Sequence, residues 1–183
     1  GDDVIIQAAD DVDILVQGGE TAAKFGGNGG VDLYHNNVNK FSTTANGVNV
    51  KYSPTGNTDG SHSGDITFAL GETNVTVGKI YHYKSDGSWE LVDADAAATC
   101  DGLLAVALGE TSNGDGMLLR GMVTLDHDPG AVGDVLFAST TAGSATATAP
   151  SGSGDIVRVI GYCLHASNGQ IWFNPDGTFV EVA

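Results

Sequence analysis

Short apolar runs separated by tight-turn signals recur along most of the chain. Asp-Gly pairs occur five times and Asn-Gly pairs four times, and both tolerate the positive φ angles of hairpin turns. The runs between them are rich in Val, Ile, Thr and aromatic residues, as strands are. The predicted strands are Ile80–Tyr83, Met117–Leu125, Val135–Phe137, Ile156–Leu164 and Gln170–Phe173. The only helix candidate is Asp93–Thr99, so we expect an all-β fold with almost no helix.

Several predicted strands are apolar on both faces. Within Ile156–Leu164, simple alternation places Cys163 on one side of the strand and Ile160 on the other. A chain of this size buries one such face in its own core. We therefore expect the other face to meet a neighbouring subunit.

A short repeat occupies the first fifty residues. Lys24–Leu33 recurs as Lys40–Val50, each a Lys-Phe pair followed by a Gly-Val strand, at a spacing of 16 to 17 residues. A unit of one or two strands cannot bury an apolar face alone, so it must stack or trimerise. We predict a repetitive β shaft over residues 1–52.

A second repeat, with an offset of 55 residues, lies further along the chain. It matches Val77-Gly78 to Val132-Gly133 and Ser112-Asn113-Gly114 to Ser167-Asn168-Gly169. This predicts an internal duplication, mostly antiparallel, folded into a compact β-sandwich or barrel-like head over residues 66–183. Residues 53–65 are polar and rich in Gly, Ser and Asp, which is typical of a linker.

The charge balance excludes several partners. Seven Lys and Arg face 23 Asp and Glu in 183 residues, for a formal net charge of −16. Such acidity argues against binding nucleic acid or an anionic membrane, and no apolar stretch approaches the ~18 residues of a spanning helix. The two cysteines, Cys100 and Cys163, lack metal-ligand spacing and are expected to be buried thiols.

The first repeat resembles the shaft repeats of bacteriophage tail-fibre proteins. The similarity lies in Val31–Thr44 and Gly47-Val48, with the order Leu-Tyr, a polar turn, Lys-Phe, Thr-Thr and Gly-Val. Downstream segments are similar to the C-terminal domain of fibres from marine phages. These segments are Gly102–Leu108, Gly116–Gly121, Gly133–Leu136, Gly154–Tyr162 and Ile171–Asp176.

The resemblance implies a C-terminal fibre fragment in the virion, outside the cell. It implies a homotrimer that joins other virion tail proteins and binds a bacterial cell-surface receptor, either a glycan or an outer-membrane component. Two alternatives stay open: a capsid-decorating or other virion structural protein, and a polysaccharide-degrading spike. A spike would need a catalytic pair of carboxylates. Most of the Asp residues occupy turn contexts, so we expect no enzyme activity and name no catalytic residue.

Asp126-His127-Asp128 is the best local candidate for a metal site. Two carboxylates and an imidazole follow the predicted strand Met117–Leu125 directly. Ca²⁺ takes about 6–8 oxygen ligands, so this triplet needs ligands from elsewhere or from symmetry mates, and an ordinary turn after a strand is the favoured interpretation. No cofactor is expected, with Ca²⁺ or Mg²⁺ left open as a bridge to an anionic cell envelope.

Aromatic residues surround the predicted hairpin tip at Asp86-Gly87. Tyr81, Tyr83 and Trp89 would suit stacking on a glycan, although aromatic residues on strands also pack in cores. The two arginines, Arg120 and Arg158, lie inside apolar strands. We expect each to have a carboxylate or carbonyl partner and a structural role.

Overall fold

The computed structural model describes residues 5–53, 56–68, 70–71 and 74–183, and its secondary structure is almost entirely β. Strand residues make up 42% of the described residues and helix 2%, which confirms the predicted all-β class. The chain divides into two compact units, Gly1–Tyr52 and Ser53–Ala183.

The first unit is a single antiparallel sheet of five strands in chain order. The strands are β1 Val12–Val16, β2 Glu20–Phe25, β3 Val31–His35, β4 Val38–Thr44 and β5 Gly47–Val50. Between β3 and β4, Asn36 and Asn37 both have positive φ angles, 49° and 58°. Two consecutive positive φ angles define a type I′ turn, the geometry that matches the twist of a hairpin.

The strand register gives this sheet one apolar and one polar side, because directly paired residues share a face. The central apolar row, called here the apolar face, is Ile14, Ala23, Leu33, Phe41 and Val50. The adjacent row on the opposite side, called here the polar face, is Asp13, Lys24, Asp32, Ser42 and Asn49. Among the residues described in this unit, only Ala23 is a buried hydrophobic side chain, and Leu33 and Val50 are 44% and 52% exposed.

The described residues of the second unit form eleven strands and one short 3₁₀ turn. They are β6 His62–Thr67, β7 Ile80–Tyr83, β8 Trp89–Leu91, β9 Leu104–Ala107, β10 Met117–Thr124, β11 Val135–Ala138, β12 Ala145–Thr146, β13 Ile156–Val157, β14 Val159–Cys163, β15 Gln170–Phe173 and β16 Val180–Glu181. The 3₁₀ turn, Ala97–Thr99, occupies part of the predicted helix, which is too short to propagate.

The main sheet of this unit repeats one strand order. It runs β12-β11-β14-β15-β10-β9-β7-β8, with β6 added on β10, and it curls into a half barrel. The order β8-β7-β9-β10 is repeated as β12-β11-β14-β15, and the two copies join where β15 pairs with β10. The predicted internal duplication is therefore present in the topology.

One turn recurs in front of three strands. Gly78, Gly133 and Gly154 have φ angles of 76°, 89° and 88° and precede β7, β11 and β13. Each glycine N–H donates to a carbonyl of a neighbouring segment, at 2.9, 2.9 and 2.7 Å. Glycine adopts a left-handed backbone without steric cost. Gly78 and Gly133 are therefore identical in the two copies of the repeat, whereas the strand residues that follow them differ.

The predicted linker differs from the structure at its C-terminal end. Residues 62–65 lie in β6, which pairs with β10 over six register positions. Gly64 packs directly against Gly121 on β10, and a β-carbon there would overlap the Arg120 carbonyl. The glycine content that suggested flexibility therefore serves close strand pairing instead.

The predicted strand Ile156–Leu164 is also different. It divides at Arg158 into β13, which pairs with β16, and β14, which pairs with β11 and β15. A register shift opposite Leu136 inserts Ile160 as a bulge, so Ile160 and Cys163 both enter the main core. Simple alternation placed them on opposite sides, and a bulge is what breaks such alternation.

Candidate functional site

The hairpin of β7 and β8 carries the aromatic residues that the sequence analysis identified. Its register pairs are Tyr81 with Leu91, His82 with Glu90 and Tyr83 with Trp89. The Gly87 N–H donates to the Lys84 carbonyl at 3.0 Å, which closes the turn. Because side chains alternate along a strand, Tyr81 and Tyr83 lie on one side of the sheet and His82 on the other.

Two of the three predicted binding aromatics are buried. Tyr81 and Trp89 are 5% and 4% exposed and belong to an apolar cluster separate from the main core. The Tyr81 hydroxyl accepts from the Thr76 N–H at 2.8 Å, and the Trp89 Nε1–H donates to the Leu70 carbonyl at 2.6 Å. Stacking on a sugar needs an exposed ring face, so these two rings do not fit that role. Only Tyr83 is half-buried and accessible.

The opposite side of this hairpin opens into a cleft of about 300 Å³. The residues that line it are His82, Tyr83, Lys84, Ser85, Glu90, Ala98 and Asp101. His82 is 3% exposed, yet its Nδ1 has no hydrogen-bond partner among the described residues. His82 Nε2 lies 3.2 Å from Glu90 Oε2, and His82 Nδ1 lies 3.8 Å from Asp101 Oδ1. A buried imidazole with one unsatisfied nitrogen thus forms the cleft wall between two partly exposed carboxylates.

The loop that carries Asp101 is held by Arg158, which is 4% exposed. Its Nη1 donates to the Cys100 carbonyl at 2.6 Å, and its Nη2 donates to the Gly102 carbonyl at 2.8 Å. Its Nε donates to the Asp176 carbonyl at 2.9 Å. Burial lowers the pKa of Arg158 from its usual value. The prediction of a carbonyl partner is confirmed for this arginine, and the bonds on either side of Asp101 hold that residue opposite His82.

Charged groups also order the hairpin tip. Asp86 accepts from the Ser88 hydroxyl at 2.6 Å and from the Ser88 N–H at 3.0 Å, and Lys84 Nζ lies 3.2 Å from its carboxylate. These bonds, with Ser88 contributing most, lower the pKa of Asp86 to about 2. The Asp86 carboxylate therefore stays ionised and keeps Lys84 at the rim of the cleft.

Other groups of the same chain contact the three residues of the predicted metal site, Asp126, His127 and Asp128. Asp126 lies 2.9 Å from Lys79 Nζ and 2.7 Å from His127 Nδ1, while His127 Nε2 accepts from a backbone N–H of β12 at 3.0 Å. Asp128 accepts from the backbone N–H that precedes β15 at 2.8 Å. Asp59 lines the same small cleft. Across the ranges that the structure describes, no three His, Cys, Asp or Glu side chains are arranged to hold a metal ion.

A second exposed apolar row lies on the outer side of the main sheet. It runs Val135, Tyr162, Trp172 and Met122 across β11, β14, β15 and β10. Tyr162 is 47% exposed, and the Arg120 guanidinium lies 5.9 Å from the centre of the Trp172 ring. Sequence analysis predicted strands with two apolar faces but did not identify this row as a surface.

Both cysteines are buried free thiols, as predicted. Burial is the main cause that raises the pKa of Cys100 to about 11, and it also raises the pKa of Cys163. Because the thiolate is the reactive form, we expect neither thiol of the folded protein to react with Ellman's reagent at pH 8 within minutes. Both should react at once in denaturant. Rapid modification of the folded chain would contradict this burial.

Within the described part of the chain, no helix has the length and apolar character that crossing a membrane requires. Comparison with known proteins found no family model, no curated protein and no solved structure that matches the chain. Inference about function therefore depends on the chain's own residues.

Proposed function

We propose that this chain is part of a phage tail fibre that attaches the virion to a bacterial cell-surface receptor. Residues 1–52 would form one strand-rich third of a homotrimeric shaft, and residues 66–183 would form the head that meets the receptor. The proposed role requires binding and no catalysis. The observation that carries the proposal is the exposed apolar face of the first unit.

The apolar face favours association between copies of the chain. Its central side chains, Leu33 and Phe41, pair directly across β3 and β4, and the polar side carries the Lys24–Asp11 ion pair at 3.1 Å. Covering apolar surface contributes about 25 cal/mol for each Å² removed from water, while the polar side is already solvated. Identical copies with identical apolar faces can cover one another, and the resemblance to fibre shafts supplies the number three.

A trimer would also explain how a head with weak individual binding sites could attach a virion. Three copies of one weak site on a fibre, and several fibres on a virion, raise the overall avidity far above the single-site affinity. A curled antiparallel sheet is a rigid scaffold for such sites, because its loops and hairpins are held by the ladder on both sides. The upstream end would join other tail proteins.

A charge introduced on the apolar face tests the shaft. By light scattering coupled to size exclusion, we expect the wild-type chain to have three times the monomer mass of 18.6 kDa. Leu33→Asp places a carboxylate at the centre of the apolar face, so we expect a monomer. Asn49→Asp adds the same charge on the polar face and should leave the trimer intact.

The same three proteins test attachment. Labelled wild-type and Asn49→Asp protein should bind cells of at least one bacterium in a broad panel, and Leu33→Asp should lose most of that binding with its avidity. A wild-type monomer would contradict the shaft. Binding to purified capsids and to no cells would replace attachment with capsid decoration, and release of reducing ends from surface polysaccharide would replace it with a depolymerase.

A further inference from the structure

The cleft beside the β7–β8 hairpin combines features that point to a ligand. We propose that this cleft binds one neutral sugar residue of a surface polysaccharide, with hydroxyl groups bridging His82 and Asp101. The inference deepens the proposed attachment function and rests on it for its biological context. The chemistry of the cleft can be tested without it.

The first argument is the state of His82. A hydrogen bond from the ring to the Glu90 carboxylate at 3.2 Å places the proton on Nε2, since a carboxylate only accepts. In the neutral ring Nδ1 is then an acceptor, and it belongs to a side chain that is 3% exposed. A buried acceptor without a partner is destabilising, so a ligand that donates to it removes that cost.

The second argument is the distance between the acceptors. Nδ1 of His82 and Oδ1 of Asp101 are 3.8 Å apart, too far for a direct hydrogen bond. A hydroxyl group about 2.8 Å from both atoms can donate to one of them, and a neighbouring hydroxyl on the same ring can donate to the other. Vicinal hydroxyl groups on a sugar present donors at this spacing.

The third argument is the mixture of donors and acceptors. Glu90 and Asp101 accept, whereas the Lys84 ammonium and the Ser85 hydroxyl can donate from the same walls. A hydroxyl group both donates and accepts, so a neutral polyol can satisfy all of them. An anionic sugar would face two carboxylates in a chain of net charge −16.

The fourth argument is size and rigidity. A volume of about 300 Å³ accommodates a single hexose, and Ala98 adds apolar surface to the wall. Arg158 holds the Asp101 loop through the Cys100 and Gly102 carbonyls, and Lys84 is held by Asp86 at 3.2 Å. Groups that are already ordered lose little entropy when a ligand binds.

The test titrates the full-length chain with methyl glycosides of glucose, mannose and galactose while recording the ¹⁵N resonances of the histidine rings. At least one glycoside should shift the His82 Nδ1 resonance in a saturable way, with a dissociation constant near millimolar. Asp101→Asn should weaken that binding about tenfold, the factor expected from losing one hydrogen bond to a charged group. Glu181→Gln removes the same charge from an exposed site outside the cleft and should change the constant less than twofold.

Several results would overturn the proposal. They are the absence of a saturable shift with every neutral glycoside, tighter binding of glucosamine or methyl glucuronide, and equal effects of the two substitutions. The amide spectrum of each variant shows whether it is folded. His82→Phe removes the acceptor, and its binding, followed by amide shifts because the ring resonance is gone, should also be weakened. If a monomeric chain binds sugar, the cleft proposal stands and the trimeric shaft is rejected. If a trimer binds cells but no sugar, the attachment proposal stands and the cleft proposal is rejected.

Discussion

Replacing Arg158 with methionine is expected to destabilise the second unit by about 3–5 kcal/mol, the range typical of breaking a buried charged network. The methionine fills similar volume but donates nothing. Three carbonyls would lose their donor: that of Cys100, whose hydrogen bond is buried, and those of Gly102 and Asp176, whose hydrogen bonds are part-buried. The loss approaches the whole stability of a typical domain, so a large fraction of the variant should be unfolded at 37 °C.

Arg120→Met is the matched control. Arg120 is exposed, and its guanidinium lies over the ring of Trp172, 5.9 Å from the ring centre, an interaction worth about 0.5–1 kcal/mol at an exposed site. Urea unfolding followed by tryptophan fluorescence would compare the two variants. Equal losses, or a loss below about 1 kcal/mol for Arg158→Met, would show that the carbonyl contacts contribute little.

Replacing Gly161 with alanine is expected to cost about 3 kcal/mol or more, from backbone strain and overpacking together. Gly161 lies on β14 opposite Phe173, with a φ angle of 153°. A β-carbon at this position would overlap the Trp172 carbonyl oxygen, a backbone atom of the paired strand that cannot rotate away. The strands β14 and β15 would have to separate at a point where both contribute residues to the main core, Ile160 and Phe173.

Gly177→Ala is the control for this substitution. Gly177 has no atom within 4 Å of the position of a new β-carbon, and it does not have a left-handed backbone. Its replacement should leave the unfolding midpoint unchanged or slightly raised, because alanine reduces the entropy of the unfolded chain. Thermal unfolding by circular dichroism gives both values, and a wild-type midpoint for Gly161→Ala would refute the close contact.

The two proposals concern different parts of the chain and use different forces. The apolar face of residues 1–52 promotes association through burial of surface, which is strong and not directional. The His82 cleft recognises a ligand through a few oriented hydrogen bonds, which are weak singly and selective. A trimer would present three His82 clefts and so raise the avidity for the ligand. Variants that separate the chains should therefore also weaken attachment.

Sequence alone predicted the strand-rich class and the internal duplication. These properties are local. Asp-Gly and Asn-Gly pairs specify turns, and Gly78 and Gly133, which both have positive φ angles, lie 55 residues apart in the sequence itself. The need of the first unit to cover an apolar face could also be predicted, since side chains alternate between the two sides of a strand with a period of two. Buried thiols followed from residue type and apolar neighbours, and so did a carboxylate or carbonyl partner for Arg158, whereas Arg120 is exposed and lies over the Trp172 ring.

Tertiary structure alone decided the site. Tyr81 and Trp89 looked like a binding platform, but segments before β7 cover them and provide the partners Thr76 and Leu70. His82 acquired its role from Glu90 across the hairpin and from Asp101, whose loop is held by an arginine 57 positions further along. A bulge at Ile160 overrode alternation in the same way. Contacts between residues distant in sequence depend on register and packing of the whole sheet, which no local pattern encodes.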